Sequence, residues 1–562
     1  MHHISPIEIY CRNTGSYISV EGGSTLSEIF SAERINTGSE PICALVNNKA
    51  EHLGYRVFGP KEVEYLGRSS SVGREVYTRS LCMMLYRAVC DVAPELTLRC
   101  EHAISRGIFC RLYDADGNPA SCPDTLIASL LAAMCRLHEA DHPFERHEKL
   151  TADVIEIFRR QRLDDKVRLL ESVSDIYTSF YTLDGTADSF YGPLAPSTGA
   201  LGVFDLRPWH DGMLLLGPDT AEPSLPAKAL TQDKMFRAFE EHLQFNRVIR
   251  VASVGQLNDA VAAGDVAELI NVAEAMHAKL LGRIADVILE RRSRGEASII
   301  LIAGPSSSGK TTTSKRLAIQ LMTNLIKPKL ISLDDYFVDR EKTPRDADGE
   351  YDYESIHALD LDLFNADLRA LLRGETINLP TYSFELGRRI RRERPLSLGP
   401  DEVLIVEGIH GLNPELTPGV PREQIFKMYV SALTTLRIDN HNWISTSDTR
   451  LLRRMVRDYK YRGTSPADTI RRWPSVRRGE EKWIFPFQEN ADATFNSSLL
   501  FEIAVMKEFV EPLLEMVPHN VAEYTTAYRL LRFLHYFRHI PHSHVPSTSL
   551  LREFLGGSSF RY

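Results

Sequence analysis

IILIAGPSSSGKTTTSKRLAIQL, residues 299–321, decides the fold. An unbroken apolar run reads as a strand buried on both faces, and after the loop apolar residues return at helical spacing. Between them lies Gly304-Pro305-Ser306-Ser307-Ser308-Gly309-Lys310-Thr311, a phosphate-binding loop in the strand–loop–helix setting that its chemistry requires. Gly304 and Gly309 let the backbone turn its amides, with those of Ser306, Ser307 and Ser308, toward a β-phosphate, and the helix start adds positive dipole at the same spot. Lys310 can reach the β and γ oxygens and follow their charge through transfer, Thr311 offers a hydroxyl to Mg²⁺, and Thr312 extends the cradle. The expected cofactors are ATP or GTP, with Mg²⁺.

Downstream, short apolar runs alternate with helical stretches: KLISL at 329–333, VLIVEG at 403–408 and FKMYVSA at 426–432. This pattern predicts an α/β fold, a parallel sheet with helices on both faces. KLISL delivers Asp334 and Asp335 at its carboxyl end, where open α/β sheets place ligands. Asp334 is the expected base that takes the proton of an attacking hydroxyl, and Asp335 supports it; a solvated turn is the plainer alternative. Glu407 closes VLIVEG as the expected acid beside Mg²⁺, or else as an edge acid without a metal. DTRLLRRMVRDYKYRG, 448–463, gathers Arg450, Arg453, Arg454, Arg457 and Arg462 on one helix. Such crowding costs stability unless an anion or acid answers it, so the segment reads as a lid over phosphates, or otherwise as a solvated basic face.

Upstream, residues 1–66 alternate β-rich runs with turns around a helix-like STLSEIF, a small β-grasp-like unit whose helix Ser24 can cap. Residues 67–225 read as an α+β domain with helices at 73–89 and 124–140. Residues 226–296 read as a helical connector in which Val266, Leu269, Ile270, Ala273, Met276, Leu280, Ile284, Val287 and Ile288 form one buried face behind an Asp265 cap. The phosphate-loop unit spans 297–515, and 516–562 is a helical extension.

A chain of 562 residues, 43% hydrophobic, is too long for one core. Its net charge of -9 argues against bulk electrostatic binding of nucleic acid and leaves RNA binding by the front domains to a local basic face. No apolar run approaches the roughly 20 residues that cross a bilayer, and MHHISPIEIY shows no leader, so a soluble cytoplasmic protein with no membrane partner is expected. All eight cysteines precede residue 136 without a C-x-x-C pair and read as reduced thiols. Oligomeric state is left open.

The ordered motifs GPSSSGKTT, SLDDYF, LPTYSF, IVEGIHGL and TRLLRRMVRDYKYRG resemble the uridine kinase and phosphoribulokinase group over about residues 297–500. The resemblance implies transfer of a γ-phosphoryl group to a hydroxyl of a small acceptor, a nucleoside such as uridine. It implies Asp334 as base, Tyr382 and Arg389 at the acceptor, Glu407 beside magnesium, Arg454 and Arg457 in catalysis, and Arg457 and Arg462 on the substrate. Glu354 stands where the group has an aspartate for the ribose hydroxyls, and Gly387 where it has a histidine for the pyrimidine. Both departures touch acceptor choice, which leaves a sugar, sugar phosphate or other polyol as an alternative acceptor; an RNA-associated switch driven by nucleotide hydrolysis is another reading. The front resembles two domains of threonyl-tRNA synthetase, a TGS-like module at 1–66 and an editing-type domain at 67–225. The editing helix reads Val76-Tyr77-Thr78-Arg79-Ser80-Leu81, without the family's paired histidines, and the later site reads Tyr191-Gly192-Pro193-Leu194-Ala195, so editing chemistry is expected to be absent.

Overall fold

Period-two alternation at the front of the chain folds as strands β1 (Pro6–Cys11), β2 (Ser16–Glu21), β3 (Cys43–Val46), β4 (Lys49–Glu51) and β5 (Glu62–Leu66), in the order β2-β1-β5-β3-β4 with β1 and β5 parallel. The computed structural model describes residues 6–346 and 348–561. Helix α1 (Leu26–Ala32) lays Leu26 and Ile29 into the core of this sheet. Its cap is Thr25, one residue beyond the expected Ser24. Thr25 Oγ1 accepts from the Glu28 amide at 3.1 Å, and the Glu28 carboxylate accepts from the Thr25 amide at 2.8 Å. Thr25 has an acid three residues on and Ser24 has Ser27, so the reciprocal pair sets the start.

The next unit runs α2 (Ser71–Val92), β6 (Thr97–Ile104), β7 (Gly107–Tyr113), α3 (Asp124–Ala140), β8 (Glu145–Leu150), α4 (Thr151–Arg160), α5 (Asp164–Ser172), β9 (Tyr177–Leu183), β10 (Thr186–Asp188), β11 (Asp205–Trp209) and β12 (Gly212–Leu216). The strands form two sheets, β11-β12-β7-β6 and β10-β9-β8, sharing one apolar core with α2 and α3. All eight cysteines are free thiols.

Helices α6 (Asp233–Val248), α7 (Val254–Ala263) and α8 (Val266–Ser293) follow. On α8 the buried row is Val266, Leu269, Ile270, Ala273, His277, Leu281, Ala285 and Ile288, and Val287 is exposed. Between Ala273 and Ile288, which is buried as expected, the face is therefore displaced by one residue, with Leu280 and Ile284 packed at its margin. The buried residues keep the four-residue ridge that packs on the next helix, and His277 is accommodated by a ring-nitrogen hydrogen bond with the Ser498 carbonyl at 3.1 Å. Asp265 precedes α8, but its side chain makes no capping bond.

The remaining chain builds a five-stranded, wholly parallel sheet. Its strands are β13 (Ile299–Ala303), β14 (Lys327–Ser332), β19 (Glu402–Glu407), β20 (Ile425–Ser431) and β21 (Ala493–Asn496), in the order β14-β19-β13-β20-β21. β13 and β20 are buried throughout, as continuous apolar strands should be, while β14 is an edge strand with Leu330 partly exposed. Helices α9 (Lys310–Thr323), α10 (Leu361–Leu372), α11 (Thr446–Arg462), α12 (Pro466–Trp483), α13 (Glu502–Glu515), α14 (Tyr524–Leu534) and α15 (Arg552–Leu555) surround it. Short ladders pair β15 (Ile377–Asn378) with β18 (Pro395–Leu396) and β16 (Thr381–Ser383) with β17 (Arg388–Ile390).

Buried polar contacts join these units. Lys166 on α5 lies between Asp188 at 2.7 Å and Asp439 at 2.9 Å, the latter on the loop between β20 and α11. Arg437 on that loop pairs with Glu101 of β6. At the other end, Arg529 of α14 bridges Asp448 at 2.7 Å and Glu75 of α2 at 3.3 Å. Among the described residues, no helix is long and apolar enough to cross a membrane.

Candidate active site

Strands β14, β19 and β13 end side by side, with Ser332 and Ile302 both in register with Glu407. This edge sets Asp334, Glu407 and the loop 304–311 around one cleft. Gly304 is required by close approach, because a Cβ there would fall on the carbonyl oxygen of Val430. Ser307 and Gly309 take positive φ, 57° and 83°, and Ser307 and Ser308 are buried. The Lys310 ammonium donates to the Pro305 carbonyl at 3.0 Å, folding its side chain back over the loop.

Thr311 Oγ1 donates to Glu407 Oε1 at 3.4 Å, and Ser332 Oγ donates to the same oxygen at 2.9 Å. Ser332 also accepts from the Asp334 amide at 3.3 Å, tying the two acids together. Burial, and then the like charge of Asp334, pushes Glu407 up to about 7. Asp334 is open to solvent yet sits low in the cleft, where the surrounding protein raises its pKa against the fields of Lys310, Arg462 and Arg457. Asp335 is separated from it by an ion pair with Arg394 at 2.9 Å. Burial lowers Lys310, while Glu407, Asp334 and Glu553 oppose that shift.

The arginines of α11 divide into two sets. Arg450 and Arg453 do not belong to a lid: both are fully buried, Arg450 paired with Glu480 and Arg453 with Glu502. Arg454, Arg457 and Arg462 face the cleft and share one carboxylate, Asp458, at 3.1, 2.9 and 3.5 Å. Arg454 also donates to Ser306 Oγ of the loop at 3.0 Å. Burial works against the Asp458 anion, yet these three cations hold it below the usual carboxylate range. Arg462 is half exposed, and the cleft around it together with Arg457 brings it down to about 10. Three guanidinium groups on one acid leave positive charge unanswered, the condition for receiving a phosphate.

On the acceptor side, Tyr382 packs on Phe337 and Phe384 with ring centroids 5.6 and 5.1 Å away. Arg389 is engaged within the protein, donating to Asp360 at 3.0 Å and to the carbonyls of Tyr336 and Phe337 at 3.2 and 3.1 Å. Glu354 lies near Lys310, Arg454 and Glu480; burial first, then the charge of Glu480, pushes it up to about 7, and its Oε2 is buried without a hydrogen-bond partner. Gly387 turns the β16–β17 hairpin at φ 65°, where a Cβ would lie 2.7 Å from Arg340 Nε. Arg340 thus fills the space a side chain at 387 would need.

Sequence reasoning missed three residues. Ser332 links the acids, Glu480 accepts from the Ser306 amide at 3.1 Å, and Glu553 accepts from the Thr312 amide at 3.1 Å. Ser332 could have been found as the hydroxyl at the end of the strand that carries Asp334. Glu480 and Glu553 reach the loop from 174 and 241 residues away, and no local pattern marks them.

The family profile described as Phosphoribulokinase / Uridine kinase family matches residues 299–503. A uridine kinase of Staphylococcus aureus strain JH9 is 32% identical over 197 residues, which is 35% of this chain and 85% of the relative. Among solved structures, a D-glycerate 3-kinase from Cryptococcus neoformans is 14% identical with a TM-score of 0.21, covering 50% of this chain and 90% of its own. One from Silicibacter sp. TM1040, named for a fructose transport system kinase, is 18% identical with a TM-score of 0.27, covering 38% and 98%. With the 32% identical uridine kinase matched over 85% of its length, the chain carries a phosphotransferase domain for small substrates and belongs to the phosphoribulokinase/uridine kinase family.

Proposed function

We propose that the chain transfers the γ-phosphoryl group of ATP or GTP to a hydroxyl of a nucleoside, with uridine the first acceptor to test. The observation that supports this most directly is the convergence of the loop 304–312, Asp334 and Glu407 on one edge of the parallel sheet. In this reading the loop amides and Lys310 hold the polyphosphate. Asp334 accepts the proton of the acceptor hydroxyl, and its raised pKa makes it a stronger base than an ordinary aspartate. Arg454, Arg457 and Arg462 offset charge on the transferring group. Tyr382 and Glu354 border the acceptor.

A divalent cation fits the residues present. Burial first and then the like charge of Asp334 raise Glu407, so a cation there would relieve both, and Thr311 brings a hydroxyl to the same carboxylate. Mg²⁺ takes few protein ligands and completes its shell with phosphates and water, so one carboxylate and one hydroxyl suffice. Thr311 and Glu407 would hold it, and it would supply charge neutralisation at the β and γ oxygens.

One observation favours a second acceptor class. With Gly387 in a tight turn and Arg340 in the space beside it, a cation lies near the place where the family has a pyrimidine-reading histidine, which suits a sugar phosphate. Purified protein incubated with labelled ATP and Mg²⁺ against nucleosides, sugars and sugar phosphates separates the two. We expect label on uridine, its loss in Lys310→Ala, and retained nucleotide binding with loss of transfer in Asp334→Asn. Transfer at the native rate by Asp334→Asn would remove the base from the scheme, and label on sugar phosphates alone would replace the acceptor.

The same proposal covers the front of the chain, with domain limits near residues 66, 225, 296 and 515. Strand order β2-β1-β5-β3-β4 supports a TGS-like module. In the second domain the helix segment 76–81 and the loop 191–195 meet: the Ala195 amide donates to Ser80 Oγ at 2.8 Å. Arg79 fills the space between them, its guanidinium donating to the Pro193 carbonyl at 3.4 Å. Where an editing site would need open room and histidines there is a buried arginine, which supports a binding or scaffolding role.

A further inference from the structure

We propose that Glu553 is a built-in competitor for the nucleotide: its carboxylate occupies an anion position of the phosphate-binding loop and must swing away before a triphosphate can bind. This rests on the kinase reading of the loop and adds to it a means of regulation.

The geometry is that of a helix N-terminus holding an anion. Thr312 is the third residue of α9, and amides in a first helical turn have no acceptor within the helix. The Thr312 amide donates to Glu553 Oε2 at 3.1 Å, and Thr312 Oγ1 donates to the same oxygen at 2.6 Å. Two donors on one carboxylate oxygen, under the positive end of the helix dipole, form the arrangement that a phosphate oxygen would enter. The charge also reaches the rest of the site, since Glu553 acts on Lys310 and on Lys315.

The competitor is held in place by packing. Leu550, Leu551 and Phe554 are fully buried and Leu555 nearly so, all within the core that contains α11 and α13. Leu550 presses on the loop itself, where a Cβ on Gly309 would lie 2.6 Å from Leu550 Cδ2. Phe554 lies 5.3 Å below the Arg453 guanidinium, and Lys460 donates to the Leu555 carbonyl at 2.6 Å. Such burial fixes the backbone of α15. Glu553, like Arg552 before it, is only partly buried, so its side chain is free to change rotamer while the helix stays docked. The contest is therefore between one carboxylate and a polyphosphate for the same donors, and the affinity of the site is set partly by residue 553.

The test is a titration of the full-length protein with a fluorescent ATP analogue and Mg²⁺, using the native chain, Glu553→Gln, Glu553→Ala and Lys310→Ala, with thermal unfolding of each with and without nucleotide. Removing a charge-assisted acceptor from the site should tighten binding about tenfold in both Glu553 variants. Glu553→Ala should unfold earlier than the native chain without nucleotide and gain more from nucleotide than the native chain does, a pairing that a purely structural carboxylate would not produce. Equal or weaker binding in both Glu553 variants, with binding lost in Lys310→Ala, overturns the competitor and leaves the kinase reading standing. Absence of binding in every protein, Glu553→Ala included, overturns the kinase reading and this proposal with it.

Discussion

Glu354 keeps a proton that an ordinary glutamate would lose. Burial and the neighbouring Glu480 lift it from 4.5 to about 7, so across that window the folded protein binds a proton that the unfolded chain has released. The sign follows: this residue lowers stability as pH rises from about 4.5 through about 7, and the loss is complete above. We expect Glu354→Gln, which cannot ionise, to flatten that part of the profile and to melt later than the native chain at about pH 8. Calorimetric melting from acid to mildly basic pH checks it, and parallel profiles for the two proteins would discard the argument. At this scale the sequence was readable where chemistry sits at strand ends: Asp334 and Glu407 follow apolar runs, and the sheet sets them side by side. It was unreadable where a role depends on distant packing, as for Glu480 and Glu553.

Helices α11 and α12 show why a cluster of arginines cannot be sorted by spacing alone. All five share one helix, yet Arg450 and Arg453 turn inward to acids on α12 and α13, while Arg454, Arg457 and Arg462 turn to the cleft. Only the position of the partner acids separates the sets. Arg450 also donates to the Ser306 carbonyl at 2.9 Å, so the Arg450–Glu480 pair clamps both sides of the loop backbone. Truncating Arg450 leaves the buried Glu480 with Arg477, at 3.2 Å, as its remaining cation, and Arg450→Ala should cost about 3 kcal/mol. Urea unfolding reads this directly; a loss below about 1 kcal/mol would mean that Arg477 alone answers Glu480. The same contrast explains the elements. Strands β13, β19 and β20 were legible as continuous apolar runs, but the buried row of α8 was misread by one residue because the packing tolerates His277 and Ala285 where Met276 and Ile284 looked better.

Across the whole molecule, charges on one unit are answered by charges on another. Lys166 is the clearest case, an ammonium in the interior with Asp188 on one side and Asp439 on the other. Burial alone would neutralise it, but the two carboxylates keep it charged and raise its pKa. Lys166→Met would leave both acids without their cation and should destabilise the protein by about 3–5 kcal/mol, seen as a lower urea midpoint. Because Asp439 sits on the loop that leads into α11, protease sensitivity near residue 439 should rise in the same variant. Unchanged stability would show that the junction is held by its apolar contacts instead. Lys166 also bears on how such a chain could be divided. An excised 297–515 piece would carry an orphaned anion, Asp439, in what had been its interior, while the front piece would keep Lys166 on Asp188 alone. The fusion behaves less like beads on a string than like a ratchet: once the rear half came to lean on an amine lent by the front, it could not be inherited alone without first repairing its own inside.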